Sequence, residues 1–129
     1  MLPSEMLQRL SDNLDADLPW LVAEQGQEVV GFAYASKWKG RTAYRYSVEV
    51  TVYLSHLMTS KGFGSALYTK LFDILRGKSI HVVLGGISLP NEASIALHEK
   101  FGMTKVAHFE EVGHKFGHWV DVAYWQGKL

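Results

Sequence analysis

Residues Tyr44–Leu54 read YRYSVEVTVYL and residues Thr59–Ser65 read TSKGFGS, and the way these two stretches join decides the fold. In the first, Val48, Val50 and Val52 alternate with Glu49, Thr51 and Tyr53, a period of two that predicts a strand with one apolar face. In the second, Gly62 and Gly64 stand before Ser65–Leu75, where Leu67, Leu71, Phe72 and Leu75 recur at helical spacing. Gly77 is expected to end that helix. A strand that passes through glycines into a helix lets its backbone approach a ligand and leaves the first helical amides free to face it. The partial positive charge of a helix start favours an anionic guest such as a pyrophosphate, and Lys61 adds to the attraction. The spacing fits neither a phosphate loop ending in G-K-[ST] nor a dinucleotide fingerprint, because Leu67 stands where a third glycine is needed. Taken alone, the two glycines read as a tight strand-to-helix turn.

Outward from this centre, Met6, Leu7, Leu10 and Leu14 share a face of a helix expected over Ser4–Leu14, capped by Ser4. Trp20–Glu24 and Val29–Ala35 predict a hairpin turning at Gly26. Ser36–Thr42 (SKWKGRT) is basic, carries Trp38 and reads as an exposed loop. Downstream, Ile80–Ile87 reads as an apolar run with β-branched residues, expected to form a buried strand. A helix begins at Asn91, with Ala93, Ile95, Ala96, Leu97 and Phe101 apolar and Gly102 as its cap. Thr104–Val112 and Val120–Trp125 are expected as closing strands, joined by a loop over Gly113–His118. This order of elements predicts an α/β (α+β) fold around one sheet, in a single domain over residues 1–129.

Composition narrows the function. Lys plus Arg and Asp plus Glu both total 13, so no basic surplus is available to neutralise many phosphates, which argues against a nucleic-acid partner. The absence of Cys excludes disulfides, thiolate metal sites and a cysteine nucleophile. No apolar run approaches the ~20 residues that cross a bilayer, and the first residues lack the charged-then-apolar order of a signal peptide. The expectation is a cytoplasmic protein with no membrane partner. His114 and His118 are four apart, but Gly113 and Gly117 oppose a helix between them and no third ligand stands out, so no metal is expected. Trp119–Trp125 reads as a core strand, with Trp119, Asp121 and Ala123 alternating against Val120, Val122 and Tyr124, rather than as a base-stacking surface.

Five stretches in order carry a resemblance. They are the loop WKGR at Trp38–Arg41 with Tyr44, the strand YSVEVTVYL at Tyr46–Leu54, the glycine turn, LPNEASIALHEKFG at Leu89–Gly102, and GHKFGHWVDVAYWQ at Gly113–Gln126. Together they resemble the GNAT superfamily of N-acetyltransferases, within it the phosphinothricin and methionine sulfone acetyltransferase group, from about Pro19 to Gln126. The resemblance implies a central mixed, mostly antiparallel twisted sheet flanked by helices, here lacking the group's usual first strand and helix. It implies an acetyl-CoA-dependent transfer to the amino group of a small amino acid or analogue of the phosphinothricin, methionine sulfoximine or methionine sulfone type. Ser60, Lys61, Gly62, Phe63, Gly64 and Ser65 would hold the pyrophosphate of acetyl-CoA. Val52, Tyr53 and Leu54 would splay from the neighbouring strand and pair with the pantetheine arm, and Asn91 would lie near the thioester. Lys39, Arg41 and Tyr44 would face the acceptor's carboxylate and its second acidic group. A homodimer is the assembly it suggests.

The acceptor's amine must lose a proton before it attacks, and Glu49, on the polar face of the central strand, is the expected base. Burial among Tyr and Val side chains would raise its pKa toward a useful value. His98 follows Asn91 and Ser94 by about two helical turns and one. Many GNAT members carry Tyr there to protonate the departing thiolate; His98 is expected as that acid or a second base, against the alternative of a packed core histidine. The group carries Gln or Arg where this chain has Thr59. Losing a charged hydrogen bond to phosphate costs about 1.5–3 kcal/mol. The competing readings are a catalytically impaired, CoA-binding or structural remnant of the fold, and a GNAT enzyme with a different amine acceptor. The basic loop residues Lys37, Lys39, Arg41 and Arg45 favour an anionic acceptor.

Overall fold

The structure, a computed structural model, describes residues 17–55 and 62–129. The helix expected over Ser4–Leu14 lies outside them, as do Thr59, Ser60 and Lys61. In chain order the elements are β1 (Trp20–Gln25), β2 (Glu28–Lys37), a 3-10 turn (Thr42–Tyr44), β3 (Ser47–Leu54), α1 (Phe63–Gly77), β4 (Val82–Ser88), α2 (Glu92–Lys100), β5 (Thr104–Lys115) and β6 (His118–Lys128). The six strands form one sheet in the order β1-β2-β3-β4-β6-β5. Only β3 and β4 run parallel; every other neighbouring pair is antiparallel.

The valines of β3 behave as their alternation demands. Val48 and Val50 are buried, next to Ala33 and Ala35 of β2 and Val83 of β4, and α1 covers this face with Leu67, Tyr68, Leu71, Phe72 and Leu75. Ala33 and Ala35 each present only a methyl group, so α1 can lie close to the sheet. Phe72 and Tyr68 meet Phe101 at the end of α2, with ring centroids 5.3 and 5.7 Å apart, and so join the two helices. Trp125 of β6 donates its indole N–H to Glu99 of α2 at 3.1 Å, which fixes α2 over the other half of the sheet.

Two strand and loop expectations are corrected, and one helix end is borne out. The strand predicted from Tyr44 starts at Ser47, because Tyr44 N–H bonds the Arg41 carbonyl and Arg45 bonds the Thr42 carbonyl through both its amide and its guanidinium, closing a 3-10 turn. The helix does end at Gly77, but the left-handed residue beyond it is Ser79, at φ 63°. The loop expected over Gly113–His118 is a two-residue turn. Phe116 and Gly117 both take positive φ, 52° and 78°, and β5 and β6 pair up to Lys115 and His118. Two positive φ values match the right-handed twist of the flanking strands, a geometry usually signalled by Asn-Gly rather than Phe-Gly.

His98 is the one polar side chain among the described residues in the buried set, at 3% exposed. Its Nδ1 lies 2.7 Å from the Ser94 carbonyl and its Nε2 2.9 Å from the Tyr68 hydroxyl. The carbonyl can only accept, so Nδ1 carries the proton and Nε2 accepts from Tyr68 O–H. Burial drives the His98 pKa down, outweighing the opposing pull of the Ser94 carbonyl, and burial with the nearby charge of Glu49 drives that of Tyr68 far up. His98 is therefore a neutral tie between α1 and α2. The ring expected as a proton donor or second base thus has a partner at each nitrogen and is closed off from solvent.

Two outcomes follow from this packing. A Cβ at Gly31 would stand 2.7 Å from both the Tyr53 carbonyl oxygen and Leu54 Cδ2, whereas one at Gly40 meets nothing within 4 Å. Gly31→Ala is expected to cost about 1–3 kcal/mol in urea denaturation and Gly40→Ala to stay within about 0.5 kcal/mol of the parent. For His98, the unfolded chain takes up a proton below the ordinary value of 6.5 while the folded chain resists it. Stability should fall as pH drops from 7 toward 5, and His98→Gln should flatten that part of the profile.

Candidate active site

β3 and β4 are paired over only three positions, Ser47–Val82, Val48–Val83 and Glu49–Leu84. β3 continues to Leu54 bonded only to β2, and β4 continues to Ser88 bonded only to β6. The two facing edges thus diverge over four or five residues, about 13 Å at a strand's ~3.3 Å rise, and present backbone groups with no strand opposite. The divergence expected at Val52–Leu54 is therefore present.

Beside it runs an open groove of ≈ 590 Å³, bounded by Val52, Tyr53 and Leu54 of β3, by Gly62, Gly64 and Ser65 at the start of α1, and by one face of α2 from Asn91 to Lys100. Gly62, at φ 85°, turns the chain into the helix. Gly64 is buried, and a Cβ there would press to 3.1 Å from Leu97 Cδ2 and 3.4 Å from Leu54 Cδ1, so its lack of a side chain lets α1, α2 and β3 converge. Phe63 is the first residue of α1 but does not bound the groove. Asn91 bounds it while its Oδ1 accepts the Ser94 N–H at 3.1 Å, the N-cap of α2. Lys100, which sequence reasoning passed over, reaches back to Ser65 Oγ at 2.9 Å. A glycine floor, apolar walls and a free strand edge suit a long, amide-bearing, phosphate-tipped ligand; no feature of the lining conflicts with acetyl-CoA.

Lys39, Arg41 and Tyr44 are brought together in a second pocket of ≈ 290 Å³ at the start of β3. Lys37 and Arg45 also line it, and among the described residues no carboxylate bounds it. Its floor is Val48, whose side chain lies on the helix-covered face, while Glu49 points from the opposite face. The basic pocket and Glu49 are thus close in sequence but lie on opposite faces of the sheet, and Lys39 and Tyr124 are linked by Trp38. That ring has Lys39 Nζ 4.9 Å from its centroid and Tyr124 at 5.7 Å, edge-on.

Glu49 is half-buried and influences two tyrosines electrostatically, Tyr68 beneath the sheet and Tyr124 above it. Tyr53 is exposed and stacks on Phe32 at 5.3 Å. Among the described residues, no three His, Cys, Asp or Glu side chains group as a metal site.

The family model described as an acetyltransferase (GNAT) domain matches residues 4–124. The chain is 44% identical to a phosphinothricin N-acetyltransferase of Streptomyces viridochromogenes over 120 residues, covering 93% of this chain and 63% of the relative. It is 39% identical to an L-methionine sulfoximine/L-methionine sulfone acetyltransferase of Salmonella typhimurium over 111 residues, covering 86% and 65%. It thus spans a little under two thirds of the length of these curated relatives. A solved GNAT superfamily phosphinothricin acetyltransferase from Sinorhizobium meliloti, in complex with AcCoA, superposes with a TM-score of 0.91 at 35% identity, covering 98% of this chain and 70% of that one. With a diverging parallel strand pair, a glycine-started helix beside it and a family match over nearly its whole length, the chain belongs to the GNAT acetyltransferase family.

Proposed function

We propose that this chain is an N-acetyltransferase domain that moves an acetyl group from acetyl-CoA to the amine of a small, anionic amino acid or analogue of the phosphinothricin or methionine sulfone type. The observation that carries the reading is the divergence of β3 from β4 beside the groove that runs from Gly62 along α2. The names of the relatives support the acceptor class.

In this reading the free edge of Val52–Leu54 takes the pantetheine amides as an added strand. Amides from Ser60 to Ser65, with Lys61, hold the pyrophosphate at the start of α1. Asn91 lies at the thioester end. The thioester supplies an acetyl group activated for transfer. Lys39, Arg41 and Tyr44, joined by Lys37 and Arg45, hold the acceptor's carboxylate and second acidic group. Each charge-assisted bond of this kind is worth about 1.5–3 kcal/mol. Glu49 takes the proton that keeps the α-ammonium from attacking. His98 holds α1 to α2 beneath the cleft instead of exchanging protons with the reactants.

The proposed setting is the cytoplasm and the proposed assembly a homodimer. The hairpin of β5 and β6 supports the latter, because it exposes Phe116 at 97%, Trp119 at 66% and Val112 at 63%. Sedimentation of the parent as a dimer, and of a Phe116→Glu, Trp119→Glu double variant as a folded monomer, is the expected result.

Calorimetric titration with acetyl-CoA is expected to give one-to-one binding. Glu49→Gln is expected to lower kcat toward L-methionine sulfone or phosphinothricin by about 10²–10⁴ while leaving acetyl-CoA affinity within about twofold. A folded chain that ignores millimolar acetyl-CoA would instead be a remnant of the fold. A variant with parental turnover would remove Glu49 as the base.

A further inference from the structure

The face of the sheet that carries Glu49 holds one more polar group at the divergence. The register sets Glu49 of β3 beside Leu84 of β4, and Gly86, two residues further on β4, beside Tyr124 of β6. Side chains two residues apart on a strand share a face, so Glu49, Gly86 and Tyr124 all project to the side away from α1 and α2. Gly86 is exposed, and it lies where β4 has already parted from β3.

The direction of the Tyr124 side chain is fixed by what a side chain at Gly86 would strike. A Cβ there would stand 3.0 Å from Tyr124 Cζ, 3.1 Å from Cε2 and 3.3 Å from the hydroxyl oxygen. The hydroxyl end of the ring therefore leans from β6 across β4, over the glycine and toward β3. Trp38 and Phe109 brace the ring edge-on, at centroid distances of 5.7 and 6.1 Å. The glycine at position 86 is thus the clearance that lets a β6 tyrosine reach the gap between β3 and β4.

Resting on the acetyltransferase reading, we propose that Tyr124 is a further acceptor-binding residue, its hydroxyl standing opposite Glu49 across the diverging strands to receive the incoming amine. An ammonium offers three N–H donors; the Glu49 carboxylate and the Tyr124 phenolic oxygen are both acceptors. Trp38 then connects this corner to Lys39 and the basic pocket, so the wall Tyr124–Trp38–Lys39 runs from the amine end of an amino acid toward its carboxylate end. The Tyr124 pKa is raised, first by burial and then by the charge of Glu49.

The test is Tyr124→Phe, which keeps the ring against Trp38 and Phe109 and removes only the oxygen. Binding of L-methionine sulfone to the CoA-loaded protein is measured by calorimetry, beside acetyl-CoA affinity, melting temperature and steady-state KM and kcat. The expected result is about a tenfold loss in methionine sulfone affinity and a matching rise in its KM, with acetyl-CoA affinity and melting temperature unchanged. Gly86→Ala, which crowds the same hydroxyl, should weaken acceptor binding similarly, and the double variant should lose little more than either single one. Methionine sulfone affinity within about twofold of the parent in Tyr124→Phe overturns the proposal, as does a loss that appears equally in acetyl-CoA affinity. A parent protein that acetylates neither methionine sulfone nor phosphinothricin would instead overturn the acetyltransferase reading on which it rests.

Discussion

Among the described residues, three ladder pairs, Ser47–Val82, Val48–Val83 and Glu49–Leu84, join the two halves of the sheet, extended by the Tyr46 carbonyl, which accepts from His81 and Val82 N–H. On one side β1, β2 and β3 form an antiparallel unit; on the other β4, β6 and β5 form a second. A parallel junction so short leaves both strands with amides and carbonyls beyond it that face no strand among the described residues, groups that need another hydrogen-bond partner. The halves nevertheless stay together because the helices bridge them. α1 lies on β1–β3, α2 on β4 and β6, and Tyr68, Phe72, His98 and Phe101 tie the helices beneath the opening. The cleft is open at the level of the backbone and closed at the level of the core.

The glycine pair of β4 works on both sides of that opening. Successive strand residues face opposite ways, so Gly85 and Gly86 each clear one face. A Cβ at Gly85 would stand 2.7 Å from His98 Cδ2 and Nε2, and one at Gly86 would press on the Tyr124 ring. One glycine lets the buried histidine tie approach the sheet from the helix side; the other lets a tyrosine lean in from the opposite side. A single β-branched residue at either place, of the kind that fills the rest of β4, would remove one of these approaches. The conformational cost of glycine in a strand interior, about 0.5–1 kcal/mol relative to alanine, is tolerated where backbone and ring must come this close.

Much of this could be read before the structure. The two-residue period of β3, the glycine turn, the helical spacing of α1 and the Asn91 cap each rest on a local signal, and each element lies where that signal puts it. Tyr44–Tyr46 continued the same alternation, yet hydrogen bonds from Tyr44 and Arg45 back to Arg41 and Thr42 close a turn there, which periodicity alone does not register. The β5–β6 turn escaped because Phe116 carries a positive φ without the usual Asn. β5 is further broken by register shifts, one of them around Glu111, whose N–H bonds Asp121 Oδ1 at 2.9 Å. The groove residues followed from their motifs, whereas Tyr124 and Lys100 did not. Their places depend on which strands and helix ends become neighbours, and that is decided by long-range pairing. His98 shows the same limit in another form: its spacing from Asn91 is as expected, but its burial and its hydrogen bond to Tyr68 depend on how α1 and α2 pack.

Net charge hid the most informative electrostatic feature. A total of 13 basic and 13 acidic residues cancels over the chain, yet Lys37, Lys39, Arg41 and Arg45 fall within nine positions and bound one pocket with no carboxylate among its described lining residues. At physiological ionic strength charges farther apart than about 8 Å are largely screened, so a small ligand responds to this local set rather than to the sum. Glu49 supplies the opposite sign on the other face of β3, just beyond the pocket floor at Val48. In the proposed reaction the pocket is complementary in sign to an acceptor's acidic groups and Glu49 to its ammonium. Both signs come from residues 37–49, a single turn and strand, while the protein as a whole stays neutral.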